Sequence, residues 1–288
     1  MSENPLKHYF RTPAIYMTLP SGVGFYPPTV VEYPENGQLP VFPMTNTDEI
    51  HVRNPDGLFS GQSMVEVIKS CIPAIKNPWA ICNIDIEAIV VAIRAASMDT
   101  DMEIVSTCPA CKEESKYGIN LTNILAEKVN IDYSKTLDIG ELSVKFRPLT
   151  YKEMNENAIK QFAIQRAFAS MDSIADEAQK QKVVADTIEK INELTNTILV
   201  SSIESIKTPE ATVTDPTFID EFMTNCDSKT NKTIKDYSIA LKEKNDTKPL
   251  KMKCVSCSHD YTQSLILNYA DFFAWGFWDH TETNSRSC

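Results

Sequence analysis

Glycine is scarce in this sequence. The 288 residues include eight, at positions 22, 24, 37, 57, 61, 118, 140 and 276. None opens a G-x-G-x-x-G turn or a phosphate-cradling loop ending in Gly-Lys-Ser/Thr, which excludes nucleotide chemistry of those kinds. Histidine is rarer still, with only His8, His51, His259 and His280. They build no H-E-x-x-H helix, and Gly57-Leu58-Phe59-Ser60-Gly61 sets its serine one place too late for a nucleophile elbow. Long apolar runs are also missing. Ala88 to Ile93 stops at Arg94, far short of the roughly 20 residues that span a bilayer, so no membrane partner is expected. The first residues, Met1-Ser2-Glu3-Asn4-Pro5, lack the basic patch and apolar stretch of a secretory signal, and a cytosolic setting is expected. Positive charge is in deficit, with 28 Lys plus Arg against 39 Asp plus Glu and a net charge of −11. That balance works against a broad phosphate-binding surface and against nucleic acid as the main partner. Together these absences point away from an enzyme.

What remains is the composition of an ordinary globular protein, 42% hydrophobic and 23% charged. Its most informative residues are eight cysteines, which in a cytosolic setting read as thiols or metal ligands rather than disulfides. Cys108-Pro109-Ala110-Cys111 and Cys254-Val255-Ser256-Cys257 are two C-x-x-C pairs. Such a pair can place two thiolates on one ion, and two pairs make a tetrahedral set for Zn2+. The flanks repeat as well. Glu103 to Thr107 enters the first pair as a strand and Lys116 to Leu121 leaves it. Leu250 to Lys253 and Tyr261 to Ile266 do the same for the second pair. That is the strand, knuckle, strand plan of a zinc ribbon, written twice. Redox-active pairs and metal-free knuckles are the competing readings. The redox reading asks for a helix starting within the motif to lower the thiol pKa, and neither pair is followed by one. The long separation of the pairs is tolerable because loop-closure entropy grows only logarithmically. His259 is a competing ligand or a surface residue. Cys71 and Cys82, among Ile68, Ile72, Ile81 and Ile84, read as small buried thiols, and Cys226 and Cys288 as incidental.

Residues 1–57 carry nine prolines, which favour extended segments and turns over helix, with short strands near Ala14 to Leu19 and Gly37 to Met44. Aromatic residues there (Tyr9, Phe10, Tyr16, Phe25, Tyr33) indicate that this arm packs along a surface, either of its own domain or of a neighbouring subunit. Apolar spacing predicts helices over Ser60 to Cys71 and Asp85 to Met98, with Asp85 and Glu87 favoured by the dipole at the second helix's start. A short helix is expected at Asn120 to Leu125 and a strand at Glu141 to Phe146. Thr150 then caps a long helix with Met154, Ala158, Phe162, Ala163 and Phe168 along it. A second long helix is expected from Asp172 to Ile206. Its stripe of Val184, Ile188, Ile191, Leu194 and Ile198 fits either an antiparallel hairpin or an intermolecular coiled-coil seam. Asp215 or Thr217 can cap a short helix through Met223, and Lys229 to Lys248 reads as a solvated face. Six of the ten residues from Tyr269 to Trp278 are aromatic. Phe272, Phe273, Trp275, Phe277 and Trp278 are therefore candidates either for burial in the chain's own core or for docking on a partner.

Several stretches resemble the T-even-type phage baseplate protein family, whose prototype is a hub subunit of the contractile tail. They are Asn4-Pro5-Leu6, His8 to Arg11, Pro13, Ile15-Tyr16, Leu19 to Ser21, Leu39 to Thr45, Pro55-Asp56, Gly61-Gln62, Ser70 to Pro73, Ile84-Asp85, Ala92 to Arg94, Arg147 to Tyr151 and Phe272-Phe273. Their order along most of the chain carries the resemblance; none does so alone. It implies a non-enzymatic component of the baseplate hub. Such a protein works in the host cytoplasm during assembly and in the virion tail if retained, and binds other hub or tail proteins, the tape-measure protein or further copies of itself among them. An assembly chaperone that leaves before maturation is the alternative. Zinc rests on the cysteine spacing and not on the resemblance.

The expected fold is α+β, a discontinuous zinc-ribbon-like β element with an inserted α-helical hairpin and a proline-rich N-terminal arm. Its parts are the arm (1–57), an N-terminal helical region (58–100), the ribbon (101–121 with 249–267), the helical insertion (122–248) and an aromatic tail (268–288). The metal ligands are Cys108, Cys111, Cys254 and Cys257. A zinc-ribbon module that binds nucleic acid is the rival from another class and would need a basic face. A redox enzyme using Cys108 and Cys254 is a second rival.

Overall fold

The architecture is α+β, with helices and small antiparallel sheets. The computed structural model describes residues 4–98, 100–123, 133–169, 176–245 and 249–263. The chain divides into two compact units, residues 1–130 with 247–288 and residues 131–246.

In the first unit a helix at Asn83–Ser97 forms the centre, with Ile86, Ile89, Val90, Val91, Ala92 and Ile93 all buried. A helix apolar on every side has to be wrapped on every side. Much of the wrapping comes from the proline-rich segment. Strands β1 (Ile15–Met17) and β2 (Leu39–Val41) pair antiparallel, with Ile15 opposite Val41. Met17, Leu19, Tyr26, Val31, Leu39 and Val41 are buried. This stretch thus packs into the core of its own unit, one of the two placements expected for it, while Tyr9, Phe10, Tyr16 and Phe25 stay exposed. It also contains helix where proline argued against it: a 3-10 turn at Pro5–Tyr9, α1 (Asn46–Val52) and α2 (Pro55–Phe59). Two of the three place proline at the first helical position, where its missing N–H costs nothing. Helix α3 (Gln62–Cys71) follows, and α4 is the central Asn83–Ser97 helix.

Two buried carboxylates fasten this segment. Asp48 accepts from the Thr45 N–H and hydroxyl, each at 2.7 Å, and from the Ser70 hydroxyl at 3.0 Å. Arg11 bridges it at 3.3 Å and also donates to the carbonyls of Pro43 (2.6 Å) and Ser70 (2.8 Å). Asp85 accepts from the Ser21 N–H at 2.9 Å and the Tyr26 hydroxyl at 2.5 Å, while the Cys82 N–H donates to the Tyr26 oxygen at 2.9 Å. Burial pushes the Asp85 carboxyl above its usual range. Its main role is therefore to receive these donors in the core, beyond the dipole pairing expected at the start of α4.

Strands β3 (Asp101–Thr107) and β4 (Glu114–Asn120) form a hairpin. The strand reaches Asn120, where a helix was expected to begin; residues 121–123 make a helical turn and the rest of the expected helix lies outside the described residues. A second hairpin, β9 (Leu250–Lys253) with β10 (Asp260–Gln263), belongs to the same unit.

The second unit is not purely helical. Strands β5 (Thr136–Ile139), β6 (Leu142–Phe146), β7 (Ile203–Lys207) and β8 (Thr212–Val213) form an antiparallel sheet in that order. Between β6 and β7 run the long helices α5 (Tyr151–Ala169) and α6 (Glu177–Ser202). Helix α6 ends four residues before the sequence suggested, because Ile203 and Ile206 turn inward as strand residues beside Val144 and Phe146. Helices α7 (Pro216–Asn225, capped by Asp215) and α8 (Ser228–Asn245) complete the core through Ile219, Met223, Ile234 and Leu241.

Helices α5 and α6 pack on each other. Of the expected α6 stripe, Leu194 lies on the groove between them, while Ile188, Ile191 and Ile198 do not. Ala163, Ile164 and Ala167 of α5 and Thr187, Leu194 and Thr197 of α6 line a groove of about 360 Å³ between them. Ile188, Ile191 and Ile198 lie one residue along from that face and remain 54, 46 and 37% exposed, as do Phe162 and Phe168 of α5 at 48 and 56%.

Candidate metal centre

Period-two alternation builds the site. In β3, Met102 and Ser106 are buried and their neighbours are not, so the next position on that face is Cys108, itself buried. In β9, Met252 is buried between Lys251 and Lys253, and Cys254 follows on the same face. Each strand thus delivers the first cysteine of its pair inward, and Cys111 and Cys257 lie exposed at the outer side of the cluster.

The two loops have the same hydrogen bonds. The Cys108 N–H donates to the Glu113 carbonyl at 2.9 Å and the Cys254 N–H to the His259 carbonyl at 2.9 Å. The Lys112 N–H returns to the Cys108 carbonyl at 2.9 Å, as the Ser258 N–H does to Cys254 at 3.0 Å. Closing so tight a loop needs a left-handed residue just after the second cysteine, and Lys112 (φ 62°) and Ser258 (φ 57°) adopt it. Loop amides also act on the sulfurs. The Cys111 N–H holds the Cys108 thiol below its usual range, and the Cys257 N–H draws Cys254 down to about 7. Cys108 and Cys254 therefore favour the thiolate that a metal requires, whereas the neighbouring sulfurs push Cys111 up to about 12 and raise Cys257.

The four sulfurs lie within 4.8 Å of one another. Cys108 Sγ is 3.7 Å from Cys257 Sγ, and Cys111 Sγ is 3.5 Å from Cys254 Sγ. A disulfide needs about 2.05 Å. A tetrahedron with metal–sulfur bonds of about 2.3 Å has edges of about 3.8 Å. The close contacts therefore match a shared ion, and each runs from one pair to the other. His259 gives the loop its carbonyl and stacks on Tyr261 at 6.5 Å between ring centres, outside the ligand set.

A hydroxyl ladder beside the sulfurs went unread in the sequence. The Ser106 hydroxyl lies 2.8 Å from the Tyr261 hydroxyl, which donates to Tyr117 at 3.4 Å, and Tyr117 donates to the Lys253 carbonyl at 3.1 Å. The available signal was Ser106, a polar residue on the inward face two places before Cys108. Of the remaining cysteines, Cys71 and Cys82 are buried, with burial pushing the Cys71 thiol up to about 12, and Cys226 is partly exposed. Phe272, Phe273, Trp275, Phe277 and Trp278 lie outside the described residues. Among the described residues no helix is long and apolar enough to cross a membrane.

No curated protein and no solved structure matches this chain. A family match covers residues 13–274, nearly the whole sequence, and spans both units and all four cysteines. The chain belongs to the family described as T4 bacteriophage base plate protein.

Proposed function

We propose that this chain is a non-enzymatic structural or assembly component of the baseplate hub in a contractile-tailed phage. It binds other hub or tail proteins and carries a structural Zn2+ ion in a discontinuous ribbon formed by Cys108, Cys111, Cys254 and Cys257. The carrying observation is the family match over residues 13–274. The exposed Ile188, Ile191 and Ile198 of α6 support the reading, because apolar side chains grouped on one helix suit contact with another protein. The sulfur spacing supports zinc as the ion, since a closed set of four thiolates is the usual structural zinc site. The net charge of −11 weighs against a nucleic-acid-binding ribbon.

The test is quantitative mass spectrometry of purified phage particles, hub assembly intermediates and infected-cell lysate. A fixed copy number in particles identifies a hub subunit of the finished tail. Presence in intermediates with absence from particles identifies an assembly chaperone. Absence from both refutes the hub assignment.

A further inference from the structure

We propose that the metal acts as a clasp: it docks the β9–β10 hairpin on the β3–β4 hairpin, and its loss releases residues 250–263 while the rest of the protein keeps its fold. This rests on the reading of the four sulfurs as a metal site.

The two hairpins are unequal. Strands β3 and β4 each have seven residues in continuous register from Asp101–Asn120 to Thr107–Glu114. The hairpin is closed at its base by the Leu121 N–H on the Thr100 carbonyl, with Leu121 fully buried. Strands β9 and β10 have four residues each. A two-stranded hairpin of that size is marginal in water by itself.

Nor does a common sheet hold it, because β9–β10 and β3–β4 are separate two-stranded sheets. Among the described residues, the hydrogen bonds that join them are the Ser106–Tyr261–Tyr117–Lys253 ladder, whose middle step is 3.4 Å long. The ladder's outer end, at Tyr117 and Lys253, faces solvent. The sulfurs make the stronger link, since both close pairs, Cys108 with Cys257 and Cys111 with Cys254, run between the hairpins. Each metal–ligand set is therefore half supplied by a hairpin that stands without the ion and half by one that depends on it. The core of the β5–β8 sheet uses none of these residues.

The experiment is hydrogen exchange by mass spectrometry on the full chain, kept reduced, with zinc and after chelation, alongside metal analysis of the same samples. With free zinc a hundredfold above its dissociation constant, linkage favours the docked state about a hundredfold. Exchange in residues 250–263 should rise by about that factor on chelation, reverse on adding zinc, and leave α4 and the β5–β8 sheet unchanged. Cys254→Ser in zinc buffer should behave like the chelated protein. Tyr261→Phe should keep both zinc and protection, because it cuts the ladder and spares the sulfurs.

Release of the hairpin in Tyr261→Phe with zinc still bound would overturn the clasp, as would bound zinc whose removal leaves 250–263 protected. Loss of protection in α4 together with the hairpin would overturn it too, by making the effect global. A chain that takes up no metal at all would instead refute the metal reading beneath it.

Discussion

Glu153 starts α5 by satisfying several donors at once. Its carboxylate takes both guanidinium nitrogens of Arg147, at 3.0 and 2.6 Å, and the N–H and hydroxyl of Thr150, each at 2.8 Å. Thr150 accepts in return from the Glu153 N–H at 3.3 Å, which completes a capping box. Burial alone would raise this carboxyl, but Arg147 and the Thr150 donors outweigh it and hold it below the usual range. A depressed folded pKa adds stability that is present above the unfolded value of about 4.3 and is lost as pH falls through the folded one. Glu153→Gln should therefore cost about 1 kcal/mol at pH 7, the pair being partly solvent-screened. The gap from the parent should shrink toward zero near pH 3. Urea unfolding at the two pH values checks this, and an equal gap at both would show that the charge contributes nothing. Arg11, Ser70 and Asp85 fasten the chain in the same charge-assisted way as Arg147 and Thr150, but between segments distant in sequence. These are also residues that carried the family resemblance, so what was recognised in the sequence was largely the fold's fastening points.

Helix α6 shows why faces are harder to read than helices. Val184, Ile188, Ile191, Leu194 and Ile198 follow a clean apolar period, yet of these only Leu194 lines the groove toward α5, beside Thr187 and Thr197. Ala163, Ala167, Thr187 and Thr197 also line that groove, and an apolar period gives such small or polar residues little weight. Replacing Ile188 and Ile191 by serine should change stability by no more than about 0.5 kcal/mol each. Ile206→Ala in the buried sheet should cost about 2–5 kcal/mol. Thermal unfolding of the three variants decides it: a large loss from the two serine variants would mean the stripe is covered within the chain. The existence of α3, α4, α5, α7 and β6 was legible because each has a periodic run or a capping residue of its own. The sulfur cluster was legible for a similar reason, since the same strand, knuckle, strand layout surrounds both pairs. Less legible were the strands of the second unit, where β8 has two residues and β5 four. Each pairs with a sequence neighbour, β5 with β6 and β8 with β7, but the β6–β7 pairing that joins them into one sheet crosses α5 and α6, and local sequence says little about it. The folding of the proline-rich segment was hidden likewise, because Arg11, Ser21 and Tyr26 find their partners dozens of residues away.

At the scale of the whole chain, the cysteine pairs lie on either side of residues 131–246 in sequence, and that stretch is a compact unit with a core of its own. Val144, Phe146, Ile203 and Ile206 from the sheet meet Leu199 and Val200 from α6 and Ile219, Met223, Ile234 and Leu241 from α7 and α8. The Tyr237 ring lies against Phe146 at 5.2 Å between centres, and α8, the last helix, packs on β5, the first strand. A unit whose first and last elements touch can be closed by a short linker or cut out without leaving an open core. Its length is in the common domain range of about 100–150 residues, enough to bury a stable interior. Residues 131–246 expressed alone should therefore fold, giving a single cooperative thermal transition with mixed helix and strand by circular dichroism. Adding chelator should leave the midpoint where it was, because none of the four metal-site cysteines belongs to the unit. A broad, non-cooperative melt would mean that the insertion depends on the unit into which it is inserted. A chelator-sensitive midpoint would place a second metal within 131–246. The expected result makes the insertion a self-sufficient body, placed in sequence between the two cysteine pairs that the proposed clasp brings together.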